Sequence, residues 1–219
     1  MGAWTRIALA FAAPLLLTAC LLTPGKFESK LVLNADRSFT YSYIGEVYAV
    51  DQSMTPTGSD EKPAEAAKKK AETETKNRAI ADALSKEAGY RSVKYLGDGK
   101  FTIDYQVSGH LTHAFIYPFN LDAQAIVPFV AVELRANGTV RVKAPGFANE
   151  AKDQAGPMGG MGGDGGSDKL DGIFILDTDA EIVSQNNEEG PQAAGARKTI
   201  SWKVSPLTRD APTAVLRLR

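Results

Sequence analysis

Few side chains in this 219-residue chain could do chemistry. His110 and His113 stand three apart, a spacing that on a helix would aim two imidazoles at one metal ion. They sit in strand-like sequence, where residues three apart face opposite sides, so a third ligand would have to come from afar. Ordinary surface histidines are the expectation. Asp177 and Asp179 could share one face of an extended segment, with Glu181 behind them. Paired carboxylates can act as general acid and base or hold a cation. Placed after the apolar run Ile173–Leu176, they also fit turn chemistry, and turn or solvated acids are expected. Ser29, Ser42 and Ser108 lack a GxSxG setting for a nucleophile. Lys68-Lys69-Lys70 could meet anionic lipid or peptidoglycan, but Glu65, Glu72 and Glu74 dilute its field. No catalytic set, metal site or cofactor site is expected, and the chain is read as a non-enzyme. With 25 basic and 26 acidic side chains it has no basic footprint for nucleic acid. One Cys and two His exclude a disulfide scaffold and a Cys/His zinc cluster.

That one thiol, Cys20, has a distinctive setting. Arg6 precedes an apolar run from Ile7 to Leu17, broken only by Pro14, and Thr18 and Ala19 lead into the Cys. A helix over that run would span about 16 Å, too short for a hydrocarbon core of about 30 Å. The layout is that of an export signal. Leu17-Thr18-Ala19-Cys20 resembles the lipobox of bacterial lipoproteins. The resemblance implies diacylglycerol on the Cys20 thiol, cleavage after residue 19 and acylation of the new amine. Two or more buried acyl chains give stable attachment where one is marginal. It also implies an envelope protein on the periplasmic side. Leu21, in place of an Asp, favours the outer membrane in a Gram-negative cell.

The elements that would position these residues are mostly strands. Residues 20–26 are expected to be the lipidated Cys and a short tether, and residues 27–219 a single α+β ectodomain. Phe27–Leu33 and Phe39–Tyr43 flank the turn residues Asn34–Arg37 as a hairpin. Residues 63–88 are rich in Ala, Lys and Glu and predict a helix, closed by Gly89. Its Ile80–Leu84 half is expected to dock on a sheet and its Lys68–Lys70 half to be solvated. Arg91–Leu96 and Lys100–Gly109 flank Gly97-Asp98-Gly99. Leu111–Phe119 follows, and Val127–Leu134 and Thr139–Lys143 flank Asn137-Gly138. Residues 148–171 include a Gly- and Met-rich stretch with little side-chain area to offset the entropy of ordering it, and predict a flexible loop. Neither GxGxxG nor a GKS/GKT ending is there to make it a phosphate loop. Gly172–Leu176, Glu181–Val183, Arg197–Val204 and Thr213–Leu218 complete the strands, with Gln185–Gly195 as a polar loop. The sum is a largely antiparallel sheet of short strands with one main helix packed on a face.

Three aromatic stripes stand out: Phe39, Tyr41 and Tyr43; Phe101 and Tyr105; and Phe115, Tyr117 and Phe119. They are either core or the lining of a groove for a lipid or peptide. The CLLTPGKF start at residues 20–27 resembles proteobacterial lipoproteins. The ending, with Gly172–Val183, a loop at Gln185–Gly195 and a strand around Trp202, is similar in outline to the LppM-like lipoproteins. That resemblance implies an α+β ectodomain with lipid or glycolipid binding as its role, and brings no catalytic residues. The chain departs from it in the Gly/Met-rich insertion. The functional expectation is a membrane-anchored envelope lipoprotein, held by membrane lipid through Cys20, that binds a lipid-like ligand or an envelope protein. An envelope hydrolase using the acids or histidines above, and an assembly scaffold, are the alternatives.

Overall fold

The computed structural model describes residues 21–50, 63–118, 128–149 and 167–218. Residues 1–20 (expected as an export signal ending in Cys20), Phe119, and most of the Gly-rich stretch (150–166) lie outside them. The described residues form twelve strands and one α-helix: β1 (Leu21–Leu33), β2 (Ser38–Val50), α1 (Pro63–Leu84), β3 (Tyr90–Gly97), β4 (Lys100–His110), β5 (Ala114–Tyr117), β6 (Val130–Leu134), β7 (Thr139–Lys143), β8 (Asp171–Thr178), β9 (Glu181–Gln185), β10 (Gln192–Ala194), β11 (Arg197–Val204) and β12 (Thr213–Arg217). They form a seven-stranded sheet in the order β10-β11-β8-β1-β2-β4-β3 and a five-stranded sheet in the order β5-β6-β7-β12-β9.

The three short hairpins form where the turn residues predict them. Arg37 and Asp98 take positive φ in their turns, and Gly138 does so between β6 and β7. Asn137 fastens that turn by accepting the Thr139 N–H at 3.1 Å and the Thr139 hydroxyl at 2.7 Å. The α+β class holds in outline, and the expectation of a largely antiparallel sheet holds only in part. β1 and β8 pair in parallel, Lys26 with Asp171 through Leu33 with Thr178, at the centre of the large sheet, which is therefore mixed. Strand periodicity carries no direction, and a parallel partner some 145 residues away leaves no local signal. A second difference concerns the tether. β1 starts at Leu21, paired with Val50, and Pro24-Gly25 sits at a register shift between Pro24 and Phe27. Those two residues therefore irregularise a strand and do not interrupt it.

Inner faces follow the alternation of β-strands. Leu31, Leu33, Tyr41, Tyr43, Phe174, Leu176 and Ile200 from the large sheet, and Val130, Val132, Val140, Val142, Ala214 and Leu216 from the small one, are buried in a common core. Phe27 illustrates how register sets the packing. Its partners on the two sides are Gly45 and Gly172. A Cβ at Gly172 would lie 2.5 Å from the Phe27 ring, and one at Gly45 would lie 2.3 Å from the Lys26 carbonyl oxygen. Gly172 leaves the space that the ring fills, and Gly45 lets the β2 backbone pass close to the chain at Lys26 and Phe27.

α1 runs along the edge strand β3 and stops at Leu84 rather than at residue 88. The 85–89 segment is a turn ending on Gly89 at φ +95°. As expected, Ala81 is buried and Ile80 and Leu84 are half-buried, while Lys68, Lys69 and Lys70 are exposed. The rest of the docking is polar and centred on Tyr95. The Tyr95 hydroxyl donates to Glu74 at 2.8 Å and accepts from Asn77 Nδ2 at 3.3 Å and from the Gly99 N–H at 3.0 Å. Lys70 reaches Asp98 at 2.9 Å. Polar anchors suit a helix whose sheet-facing side offers only Ile80, Ala81 and Leu84 as apolar groups beside Thr73, Glu74 and Asn77, because so little apolar area is there to bury. Among the described residues no helix is long and apolar enough to cross a membrane.

Candidate functional site

His110 ends β4 in the large sheet, and His113 precedes β5 in the small one. Both are exposed, and the chain crosses between sheets through the buried Leu111 that lies between them. Among the described residues no three His, Cys, Asp or Glu side chains gather where they could hold a metal ion.

The acids separate as well. Asp177 lies on the outer face of β8, between Val32 of β1 and Thr199 of β11. It binds Arg197 Nε and sits 3.3 Å from Lys30 Nζ, while Arg197 Nη1 donates to Asn34 at 2.9 Å. Partial burial opposes the charge on Asp177, but Arg197 and Lys30 outweigh it and hold the carboxyl below the ordinary aspartate range. This is a clamp across three strands and the first hairpin turn. Asp179 falls after the end of β8, where it accepts the Ala35 N–H at 2.7 Å. Glu181 receives Arg217 Nη1 on both oxygens at 2.9 Å. The face-sharing of Asp177 and Asp179 fails because the strand ends between them, at Thr178. A polar cleft of about 340 Å³ opens beside Thr178, Asp179, Glu181, Lys198, Arg217 and Leu218. Lys68, the first of the lysine run, sits 3.9 Å from Glu72 on the same helix face.

The aromatic stripes meet one another between the sheets. Tyr105 lies 4.5 Å from Tyr117 by ring centroid, Tyr41 lies 5.0 Å from Tyr117, and Phe39 lies 4.9 Å from Phe115. A second series carries this packing across the molecule: Tyr43 with Phe27, Phe27 with Phe147, Phe147 with Phe174, and Phe174 with Trp202. Burial pushes the phenols of Tyr41, Tyr43 and Tyr117 well above the ordinary tyrosine value, so they stay neutral hydroxyls. The Ser29 hydroxyl donates to Tyr41 at 3.0 Å, and Tyr43 donates to the Glu46 carbonyl at 2.8 Å. Those polar ends are satisfied inside the core.

Two structural parts escape the sequence patterns. Phe147 is fully buried, yet it follows Pro145-Gly146 on a single 3-10 turn with no strand period to mark it. Asn186, in a stretch that reads as loop, accepts Trp202 Nε1 at 3.1 Å and the Thr213 N–H at 2.9 Å, tying β11 to β12. The polar residues after β9 offer no sequence signal for that role.

Comparison with protein-family models and with curated proteins gives no match. Among solved structures, the chain is similar to the folded domain of LppM from Mycobacterium tuberculosis. The identity is 16%, the match covers 97% of this chain and 95% of that one, and the TM-score is 0.38. A likeness at that level carries no argument about function.

Proposed function

We propose that this chain is a bacterial envelope lipoprotein, anchored through Cys20, whose ectodomain works by binding and not by catalysis. The observation that carries the anchor is the Leu17-Thr18-Ala19-Cys20 sequence followed at once by β1, which starts at Leu21. The anchored residue then adjoins the folded sandwich with no linker between. The binding role is supported by the site geometry: His110 ends β4 while His113 lies beyond it, ahead of β5, and each acid already holds a cation or a backbone N–H. The mutual packing of the aromatic stripes favours a ligand or partner protein on the outside of the described sandwich. Periplasmic exposure belongs to the same proposal, and Leu21 after the Cys favours the outer membrane where one exists. The test is labelling of growing cells with a radioactive fatty acid, for the native chain and for Cys20→Ser. Label in the native chain alone, with the variant released from membranes, supports the anchor. An unlabelled native chain, or a variant that stays in the membrane fraction, overturns it.

A further inference from the structure

The geometry points to one end of the sandwich as a lipid-contacting rim, with Leu96 and Leu207 entering the headgroup region of the bilayer that holds Cys20. This inference rests on the anchor proposed above. It starts from chain length: one peptide bond separates Cys20 from Leu21, the first residue of β1, so the end where β1 starts has no slack to leave the bilayer surface.

Register identifies what else lies at that end. Leu21 pairs with Val50, and the Ala49 N–H donates to the Gly99 carbonyl at 2.8 Å, which brings the β3–β4 turn alongside. Lys26 pairs with Asp171 and Gly172 with Val204, so β8 starts and β11 finishes toward the same end, and the turn after β11 continues in that direction. The opposite end carries the β1–β2 turn, where Ser38 pairs with His110 and the Leu111 N–H donates to the Arg37 carbonyl; the Leu134 N–H donates to the His113 carbonyl, which brings the turn from Arg135 to Gly138 to that same end.

The two most exposed of the large hydrophobic side chains found on the described surface are Leu207, 87% exposed, and Leu96, 57% exposed, and both belong to the anchor end. Scattered apolar residues on a surface need no explanation. Here position and backbone hold distinguish them. Leu207 is carried on a fastened turn: the Thr208 N–H donates to the Ser205 carbonyl at 3.0 Å, the Ser205 N–H donates to Thr208 Oγ1 at 3.0 Å, and Asn149 Nδ2 donates to the Pro206 carbonyl. Leu96 adjoins Tyr95, whose hydroxyl is fixed by three hydrogen bonds. Rigid presentation lowers the ordering cost of placing an apolar side chain in a membrane interface.

Charge plays the smaller part at this rim. Lys100 is held by Glu46 at 2.7 Å, Lys70 by Asp98 at 2.9 Å, and Lys169 lies 4.0 Å over the Tyr48 ring. Asp168 and Asp171 lie nearby in sequence to Lys169. Beside Leu96 the two nearest lysines, Lys70 and Lys100, thus already have acidic partners, which fits apolar contact with a bilayer surface without requiring anionic lipid.

The experiment uses the full acylated protein with nitroxide labels at Leu96→Cys, Leu207→Cys and, as the control at the far end, Asn137→Cys. Each is reconstituted into vesicles of phosphatidylethanolamine and phosphatidylglycerol. Acylation is verified by intact mass, and the accessibility of each label to oxygen and to a nickel chelate is measured. The expected result is a several-fold rise in the oxygen-to-nickel ratio at 96 and 207 on reconstitution, unchanged at 137 and insensitive to salt. Acylated, vesicle-bound protein with all three labels equally open to nickel overturns the rim and leaves the anchor standing. Loss of nickel access without gain of oxygen access reports a protein contact, such as a second copy, and also overturns it. A chain that carries no acyl mass overturns the anchor, and the rim with it.

Discussion

Truncating Phe147 to alanine should destabilise the protein by about 4 kcal/mol. Phe147 is fully buried, with ring centroids of Phe27 at 4.3 Å, Phe174 at 5.7 Å and Phe129 at 6.0 Å. Removing a buried phenyl ring costs about 3–5 kcal/mol through lost transfer energy and the cavity left behind. Aromatic pairing adds about 0.5–1.5 kcal/mol per contact, and it overlaps with the first term. The surroundings cannot collapse easily, because Phe27 is wedged between Gly45 and Gly172 and Phe174 is stacked on Trp202 at 5.5 Å. Phe147→Leu keeps most of the volume and should cost less than about 1.5 kcal/mol. The assay is urea unfolding followed by Trp202 fluorescence. With a slope of about 2 kcal/mol per molar, the alanine variant should unfold about 2 M earlier than the parent. An alanine variant within about 1 kcal/mol of the parent would refute the reasoning, because the space between the sheets would then not be closed around that ring.

The other predictions concern register, the clamp and the helix. Gly172→Ala should cost about 1–3 kcal/mol by forcing Phe27 aside, and Leu22→Ala nearby should not reproduce the loss of Phe27 packing; thermal unfolding of both variants checks this. Asp177→Asn should cost about 1–2 kcal/mol at neutral pH by leaving Arg197 and Lys30 without their partner. Because the folded-state pKa of Asp177 lies below the ordinary 3.8, its contribution is fully present above that value and is lost as pH falls through the lowered one. The variant's stability should therefore fall less steeply on acidification, and parallel acid limbs in urea titrations would contradict this. Tyr95→Phe removes the acceptor of Asn77 and Gly99 and the donor to Glu74, and should cost about 1–2 kcal/mol. Hydrogen exchange should then speed up in α1 and leave β1 and β8 unchanged.

What the sequence reveals of this fold is mostly local. Gly97–Gly99 and Asn137-Gly138 announce their turns because glycine and aspartate supply the required backbone angles close by in sequence, and Asn34–Arg37 announces its turn through the Asn34 and Asp36 side chains that bond Ser38, while Arg37 itself takes the positive φ. The β1–β8 pairing has no such marker, since its partners meet only after the intervening chain has folded, and alternation is the same for parallel and antiparallel neighbours. Pro24-Gly25 is legible as a break but not as a register shift inside a strand. The helix is legible from propensity, whereas its polar docking on Tyr95 depends on partners from α1, β3 and the turn at Gly99. For the candidate site, alternation places Asp177 and Asp179 together only while the strand lasts, and Thr178 ends it. The aromatic stripes are legible as stripes. Their closure on each other also depends on Phe147 and Phe129, which follow Pro145-Gly146 and Pro128 and have no clear period.

The proposed anchor ties the chain to a membrane at the residue next to its first strand. Peptide mass spectrometry of the native protein taken from membranes tests it most directly. The expected result is a mature chain that opens at Cys20 and carries diacylglycerol and an N-acyl group. A mature chain that opens at any other residue, or a Cys20 peptide with an unmodified thiol, would contradict it.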